Sequence, residues 1–299
     1  MKKILVTGSN GLLGQKLVYA LRDRRDVELI ATSRGENRVK ETSGYIYESL
    51  DITNETDVKS VIKKYLPDSI INTAAMTNVD PCETERELCW KMNVDSVKYL
   101  IDACKEHNCH LVHLSTDFIF DGEKGSLYTE EDEPNPVSYY GLSKLEAEKL
   151  VQASEIKWAI LRTILVYGIV DDMSRSNIVL WAKGALESKK VLNVVDDQFR
   201  SPTLAEDLAQ GCVLAALNEA EGIFNISGKD YMSVLEIVYR VADYFGLDKS
   251  LVNVVSSATL SQPAKRAPRT GFDLTKSRNI LGYEPHSFEE GIAILMEQV

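Results

Sequence analysis

The opening stretch KILVTGSNGLLGQKL constrains this chain more than any other segment. An apolar run with strand character stops at Gly8. Gly11 and Gly14 follow at three-residue intervals, and a helical pattern of apolar residues begins at once. A strand that turns through glycine into a helix lays that helix back over the strand and pairs with parallel neighbours. Each glycine has its own task. Gly8 takes the turn, Gly11 lets backbone approach a pyrophosphate, and Gly14 lets the helix lie close to the sheet. The helix start offers free N–H groups and the positive end of a dipole, which suits phosphate. The turn therefore predicts a dinucleotide cradle built from Gly8, Asn10, Gly11, Leu12, Leu13 and Gly14.

The rest of the first half repeats the theme. VELIATS, SIINTA, HLVHLST and KWAILRT are near-continuous apolar runs of strand length. Helical patterns such as DVKSVIKKYL, ERELCWKMNVDSVKYLIDACKEH and SYYGLSKLEAEKLVQAS separate them. Strands of this kind, alternating with helices, predict an α/β fold: a Rossmann-type, doubly wound parallel sheet covered on both faces. From about residue 168 the rhythm becomes helical and irregular. The expected division is a nucleotide-binding domain over 1–167 and a smaller α+β substrate-binding region over 168–299, partly interleaved with the first. With 44% apolar and 26% charged residues, disorder, collagen and coiled coil are excluded. A net charge of −11 with no basic cluster argues against a nucleic-acid partner. The five cysteines are odd in number and contain no C-x-x-C, so reduced thiols in the cytoplasm, and no metal site, are expected. No run is long enough to span a membrane. The N-terminal KKILV begins like a signal peptide but breaks at Gly8, Asn10 and Gly11.

Strand ends on the carboxyl side line the ligand crevice of such sheets. At the end of VELIATS stand Ser33 and Arg34, with no carboxylate before Glu36. An arginine there suits a ribose phosphate, which points to NADP ahead of NAD; a solvated surface arginine is the bland alternative. Asp51 and Ile52 fit either the edge of an adenine ring or a turn before a helix capped near Thr53 and Asn54. Thr73, Ala74 and Ala75 end SIINTA with a narrow wall. Ser115 and Thr116 end HLVHLST, and Asp117 follows, with small polar groups. Tyr140 and Lys144 lie one helical turn apart, where an ammonium favours the phenolate and brings a phenol toward the working pH range. His107, His110, His113 and His286 show no metal spacing, and packing or solvent is the expected role of His110 and His113. Trp90, Trp158 and Trp181 read as core or interface aromatics.

TGSNGLLG, NTAAMTNVD, LSTDFIFDG, YGLSK and LRTILVYG, in this order, resemble an extended short-chain dehydrogenase/reductase. With DQFRSPTLAEDLA and the C-terminal RAPRTGFDLTKSRNILGYEP, the chain resembles the dTDP-4-dehydrorhamnose reductase branch over nearly its whole length. The resemblance implies that Tyr140 donates a proton to a substrate oxygen, that Thr116 orients the carbonyl, and that Lys144 tunes the tyrosine and holds the nicotinamide ribose. It implies that Asn93 supports the active-site backbone and that Ser115 and Thr163 lie along the cofactor. Asp117, Phe118, Asn177, Gln198 and Arg200 become substrate contacts, Arg200 as a grip for a diphosphate. Two departures stand out: Leu165 where the branch often has tryptophan, and Phe118 where tyrosine is common. The implied activity is NADPH-dependent reduction of the 4-keto group of a nucleotide-linked 6-deoxy sugar, by a homodimer. An epimerase or dehydratase of the same superfamily, or a regulatory subunit like that of methionine adenosyltransferase, are the alternatives.

Overall fold

The structure, a computed structural model, describes residues 1–172, 176–259 and 262–298. Its strands are β1 (Lys2–Thr7), β2 (Val27–Ser33), β3 (Ile46–Ser49), β4 (Ser69–Asn72), β5 (His110–Thr116), β6 (Trp158–Thr163), β7 (Val166–Tyr167), β8 (Leu192–Val195), β9 (Phe199–Arg200), β10 (Thr203–Leu204), β11 (Gly222–Asn225), β12 (Met232–Ser233), β13 (Val252–Val255) and β14 (Arg269–Thr270). Its α-helices are α1 (Leu12–Leu21), α2 (Glu55–Tyr65), α3 (Val79–Thr84), α4 (Arg86–Trp90), α5 (Ser96–His107), α6 (Tyr139–Gln152), α7 (Ile178–Glu187), α8 (Ala205–Leu217), α9 (Val234–Phe245), α10 (Thr275–Leu281) and α11 (Phe288–Met296).

Seven strands form one sheet in the order β11-β6-β5-β4-β1-β2-β3, parallel throughout. The chain winds outward from β1 to β3, then restarts at β4 on the other side of β1. Side chains alternate across the sheet as strand geometry requires. Ile4 and Val6 join Leu17, Val18 and Leu21 of α1 and Leu208 and Cys212 of α8 on one face. Leu5, between them, joins Val58 and Ile62 of α2, Leu100 of α5 and Val151 of α6 on the other. Apolar continuity along the central strands thus comes from burial on both faces, as the sequence pattern required.

A third core packs α7, α9 and α11 around β8, through Val179, Leu192, Val241 and Ile292. Helix α8 and strand β11 lie beyond residue 168, yet they complete the parallel sheet and its cover. Two local features were not evident in the sequence. β3 is a four-residue edge strand with half of its positions exposed, so YIYES lacks the apolar signature of its neighbours. The helix expected from Glu85 to His107 is continuous only through a π-helical turn, Lys91–Asp95, between α4 and α5.

Beneath the sheet edge, Arg162 of β6 and Glu148 of α6 form a fully buried two-pronged pair, Nε to Oε1 at 3.1 Å and Nη2 to Oε2 at 2.8 Å. The remaining guanidinium nitrogen Nη1 donates to the Glu130 carbonyl at 3.2 Å. Removing one partner strands the other charge in the core. Glu148→Ala is therefore expected to lose about 3–5 kcal/mol of stability, read as a lowered urea midpoint with an unchanged slope.

Candidate active site

The carboxyl ends of β1, β4, β5 and β6 open into a cleft of about 1010 Å³. Its floor is the glycine turn. Gly8 is in the left-handed region at φ +69°, and a Cβ there would sit 2.9 Å from the Ala74 amide nitrogen. A Cβ on Gly14 would lie 2.2 Å from the Gly8 carbonyl oxygen, so α1 can start where it does only without one. Gly11, Leu12, Leu13 and Gly14 line the cleft. At the end of β2 a side chamber of about 220 Å³ is bounded by Gly8, Gly11, Ser33, Arg34, Asp51 and Ile52. Thr73, Ala74 and Ala75 form its inner wall, and the Thr73 hydroxyl donates to the Thr7 carbonyl at 2.6 Å.

Asp51 serves the wall and the turn at once, since Oδ1 accepts from the Thr53 amide at 2.9 Å while Asn54 caps α2. Asn10 works on protein rather than only on a ligand. Its amide donates to the Glu36 carbonyl at 2.8 Å and accepts from the Arg38 amide at 2.9 Å, tying down the loop after β2. That loop brings a second exposed arginine, Arg38, to the cleft beside Arg34. Arg38 carries no motif, and only the loop's path reveals it. The hydroxyls of Ser9, Ser115 and Thr163 are buried without a partner among the described residues, and the last two face the cleft. Buried donors need acceptors. A Cβ-free cradle, orphan hydroxyls and two arginines at the ribose end fit a phosphorylated nicotinamide dinucleotide.

Thr116 ends β5, and α6 begins opposite it, capped by the Ser138 hydroxyl on the Gly141 amide at 3.2 Å. Gly141 lets the helix dock, because a Cβ there would meet the Phe118 carbonyl at 2.1 Å. Tyr140 and Lys144 follow on the inner face and line the cleft with Thr116. The Tyr140 ring is buried between Cys82, Cys89 and the edge of Phe118, whose centroid is 5.4 Å away. Tyr139 points elsewhere, under the Arg86 guanidinium at 4.9 Å. Asn93, in the π-helical turn, accepts from the Met76 amide at 2.8 Å and donates to the Met76 carbonyl at 3.1 Å and the Ser143 hydroxyl at 3.0 Å. It pins the loop after β4 to α6; such π turns often mark working sites.

The expected electrostatics need correction. Burial pushes the Tyr140 phenol well above its ordinary range, and the hydrogen bond with Thr116 only partly opposes this. The Lys144 ammonium is spent on the Leu114 carbonyl at 2.6 Å and lies 3.4 Å from His113 Nε2. Burial pulls Lys144 down to about 8, against the attraction of Glu148. His113, assigned on the sequence to packing or solvent, is instead a buried polar neighbour of the lysine.

The substrate side also differs from expectation. Asp117 is buried, with burial raising its carboxyl above the usual range against the pull of Arg200. Arg200 is no free diphosphate grip. Its guanidinium donates to the Phe199, Pro268 and Ala267 carbonyls and lies 3.8 Å from Asp117. Neither Arg200 nor Gln198 lines the cleft. Asn177 does, but its amide is committed to capping α7 and to the Gly168 carbonyl at 2.7 Å. Trp181, expected in the core or an interface, is 40% exposed on the cleft wall. Leu165 lines the cleft at φ +39°, a strained backbone for a leucine.

This arrangement has known counterparts. A family model described as the RmlD substrate binding domain matches residues 1–299. The chain belongs to that family. It is 32% identical over 303 residues to the dTDP-4-dehydrorhamnose reductase of Aggregatibacter actinomycetemcomitans, covering 98% of this chain and 97% of the relative. Among solved structures, the dTDP-4-dehydrorhamnose reductase of Clostridium acetobutylicum superposes with a TM-score of 0.87 at 30% identity, covering 99% of both chains. That of Bacillus anthracis, in complex with NADP, gives 0.84 at 27% identity over 100% of both. This RmlD-family chain therefore lies in the dTDP-4-dehydrorhamnose reductase branch of the extended short-chain dehydrogenases, as its motifs implied.

A buried lysine makes stability depend on pH. The folded value of Lys144 lies below the ordinary 10.5, so between about 8 and 10.5 the unfolded chain binds more protons. The contribution of this group to stability therefore rises with pH across that window, and its penalty is full below it. Lys144→Met is expected to be more stable than wild type at pH 7 by up to about 3 kcal/mol, an advantage that shrinks toward pH 10.5. Paired urea titrations at both pH values check this, and a pH-independent difference would contradict it.

Proposed function

We propose that this chain reduces the 4-keto group of a nucleotide-linked 6-deoxy sugar with NADPH, NADH being the weaker donor. One observation carries the reading: Thr116, Tyr140 and Lys144 share the wall of the cleft whose floor is the glycine cradle. The bound coenzyme supplies hydride, and the protein supplies position and a proton. Thr116 and Tyr140 line the same wall, so a carbonyl oxygen set against it meets the Tyr140 hydroxyl as donor, and the Thr116 hydroxyl, which donates to Asp117 Oδ1 in this structure, has only to turn to become a second. A phenol held above its ordinary range stays protonated at neutral pH. That state suits giving a proton to a new alkoxide, the reductive direction, better than taking one. Lys144 gives one N–H to the Leu114 carbonyl and has others to offer a group beside Tyr140, and Asn93 fixes the wall behind them. Arg34 and Arg38 supply charge for a ribose phosphate. The wall of the outer cleft, with Trp181 and Leu165, suits an apolar sugar face or a base.

Burial of all five thiols, none bridged, supports a reducing compartment, and we place the reaction in the cytoplasm. A homodimer is the assembly we expect. The division into a coenzyme domain over 1–167 and a substrate region over 168–299 is kept as a functional one, with α8 and β11 shared. No observation favours an epimerase, a dehydratase or a purely regulatory chain over this reading.

Mixing protein, NADPH and a dTDP-4-keto-6-deoxyhexose should consume nicotinamide absorbance. Tyr140→Phe should bind NADPH normally and lose about 10²–10⁴ in rate, the usual range for general acid catalysis. Unchanged turnover in that variant sinks the mechanism. Arg34→Ala should weaken NADPH by about tenfold to a hundredfold and leave NADH nearly unaffected, as measured by fluorescence titration of each coenzyme.

A further inference from the structure

His113 lies in the middle of β5, one residue before the carbonyl that holds Lys144. Its ring is buried and has two partners. Nδ1 is 3.2 Å from the amide nitrogen of Asn72 on β4, and Nε2 is 3.4 Å from Lys144 Nζ. The Asn72 orientation is fixed from behind, because the Thr7 hydroxyl on β1 donates to Asn72 Oδ1 at 2.6 Å. Thr7 Oγ1 in turn accepts from the Ala74 amide at 3.3 Å. With Oδ1 occupied, Asn72 presents N–H to His113, so Nδ1 is the acceptor. A neutral imidazole then carries its proton on Nε2, aimed at the lysine. Three adjacent strands thus line up one hydrogen-bond chain, Thr7–Asn72–His113–Lys144, that ends under the cleft.

We propose that His113 is a positioning residue for Lys144: held in its Nε2–H form by Asn72, it directs a donor at Nζ, which loosens the hold on a proton of an amine that the Leu114 carbonyl keeps beside Tyr140. This rests on the reductase reading for its functional consequence, but not for its geometry. A donor on the amine's lone pair favours the neutral amine. Burial pulls Lys144 down to about 8 and His113 well below its ordinary value, the charge of Lys144 adding to the latter. The other groups around Lys144 act otherwise. Glu148, one turn along α6, favours the ammonium but is already paired with Arg162 of β6. Cys89 of α4 also favours the ammonium. Tyr140 precedes it by one turn on the same helix. His113 is the group on β5 that works in the opposite sense.

Two measurements decide. On the full-length protein labelled with ¹⁵N-histidine, long-range ¹H–¹⁵N spectra report the tautomer of each ring. His113, identified by its disappearance in His113→Gln, should show protonated Nε2 and bare Nδ1 from pH 6 to pH 9. A protonated Nδ1 overturns the proposal whether or not any keto sugar is turned over. In the NADPH assay, the alkaline limb of kcat/KM reports loss of the Lys144 proton. His113→Phe should move that limb upward by about one pH unit, and His113→Gln, which keeps a donor near the place of Nε2, should return it toward wild type. A His113→Phe limb superposed on wild type, in protein that turns over, overturns the proposal and leaves the reductase reading intact. Absence of any turnover in wild type sinks the reductase reading alone, and the tautomer still decides the role of His113.

Discussion

The contact of Gly14 with the Gly8 carbonyl is the constraint on which the rest depends. It fixes how soon after β1 helix α1 can begin, and hence that the helix N-terminus faces the gap between β1 and β4. That gap exists because β1 is followed on one side by β2 and β3 while the chain restarts at β4 on the other. Connections leaving in opposite directions cannot cover it, so a crevice stays open where the strand carboxyl ends point. The parallel sheet then decides what the crevice holds. Every strand arrives in the same sense, so Ser33, Thr73, Thr116 and Thr163, each at or just past a strand end, come to one edge from distant parts of the sequence.

What was legible in the sequence follows from that economy. The cradle, the order of strands and helices, and the Tyr140–Lys144 pair are local, because glycine spacing, apolar runs and one helical turn are short-range facts. The missed features depend on neighbours remote in sequence. β3 exists as a strand because β2 offers it an edge, not because YIYES is apolar. Arg38 reaches the cleft because Asn10, twenty-eight residues earlier, holds its amide. His113 alternates inward like any strand residue, and only the register of β1, β4 and β5 sets it between Asn72 and Lys144. The phenol was misjudged for a related reason. Spacing on a helix places an ammonium near it, but the depth of burial and the pull of the Leu114 carbonyl on that ammonium belong to the packed core.

The reassignment of Arg200 shows how the C-terminal half serves the site from behind as well as lining it. Asp117 follows the residue that ends β5, and it is held by three groups: the Thr116 hydroxyl at 3.1 Å, the Thr270 hydroxyl at 2.5 Å and the Arg200 guanidinium at 3.8 Å. Arg200 and Thr270 sit on β9 and β14, which pair with each other. One short parallel ladder from the C-terminal half thereby grips the end of the central strand that presents Thr116. An unpaired carboxylate at that depth would be costly, so the ladder and the strand end require each other. Asp80 extends the same logic, pairing with Arg266 at 3.0 Å and accepting from the Ala264 amide. The loop from 264 to 270 is thus fastened both to α3 and to Asp117. FRSPT is therefore a motif of assembly. Its arginine steadies the strand end that presents Thr116, one layer behind the cleft wall.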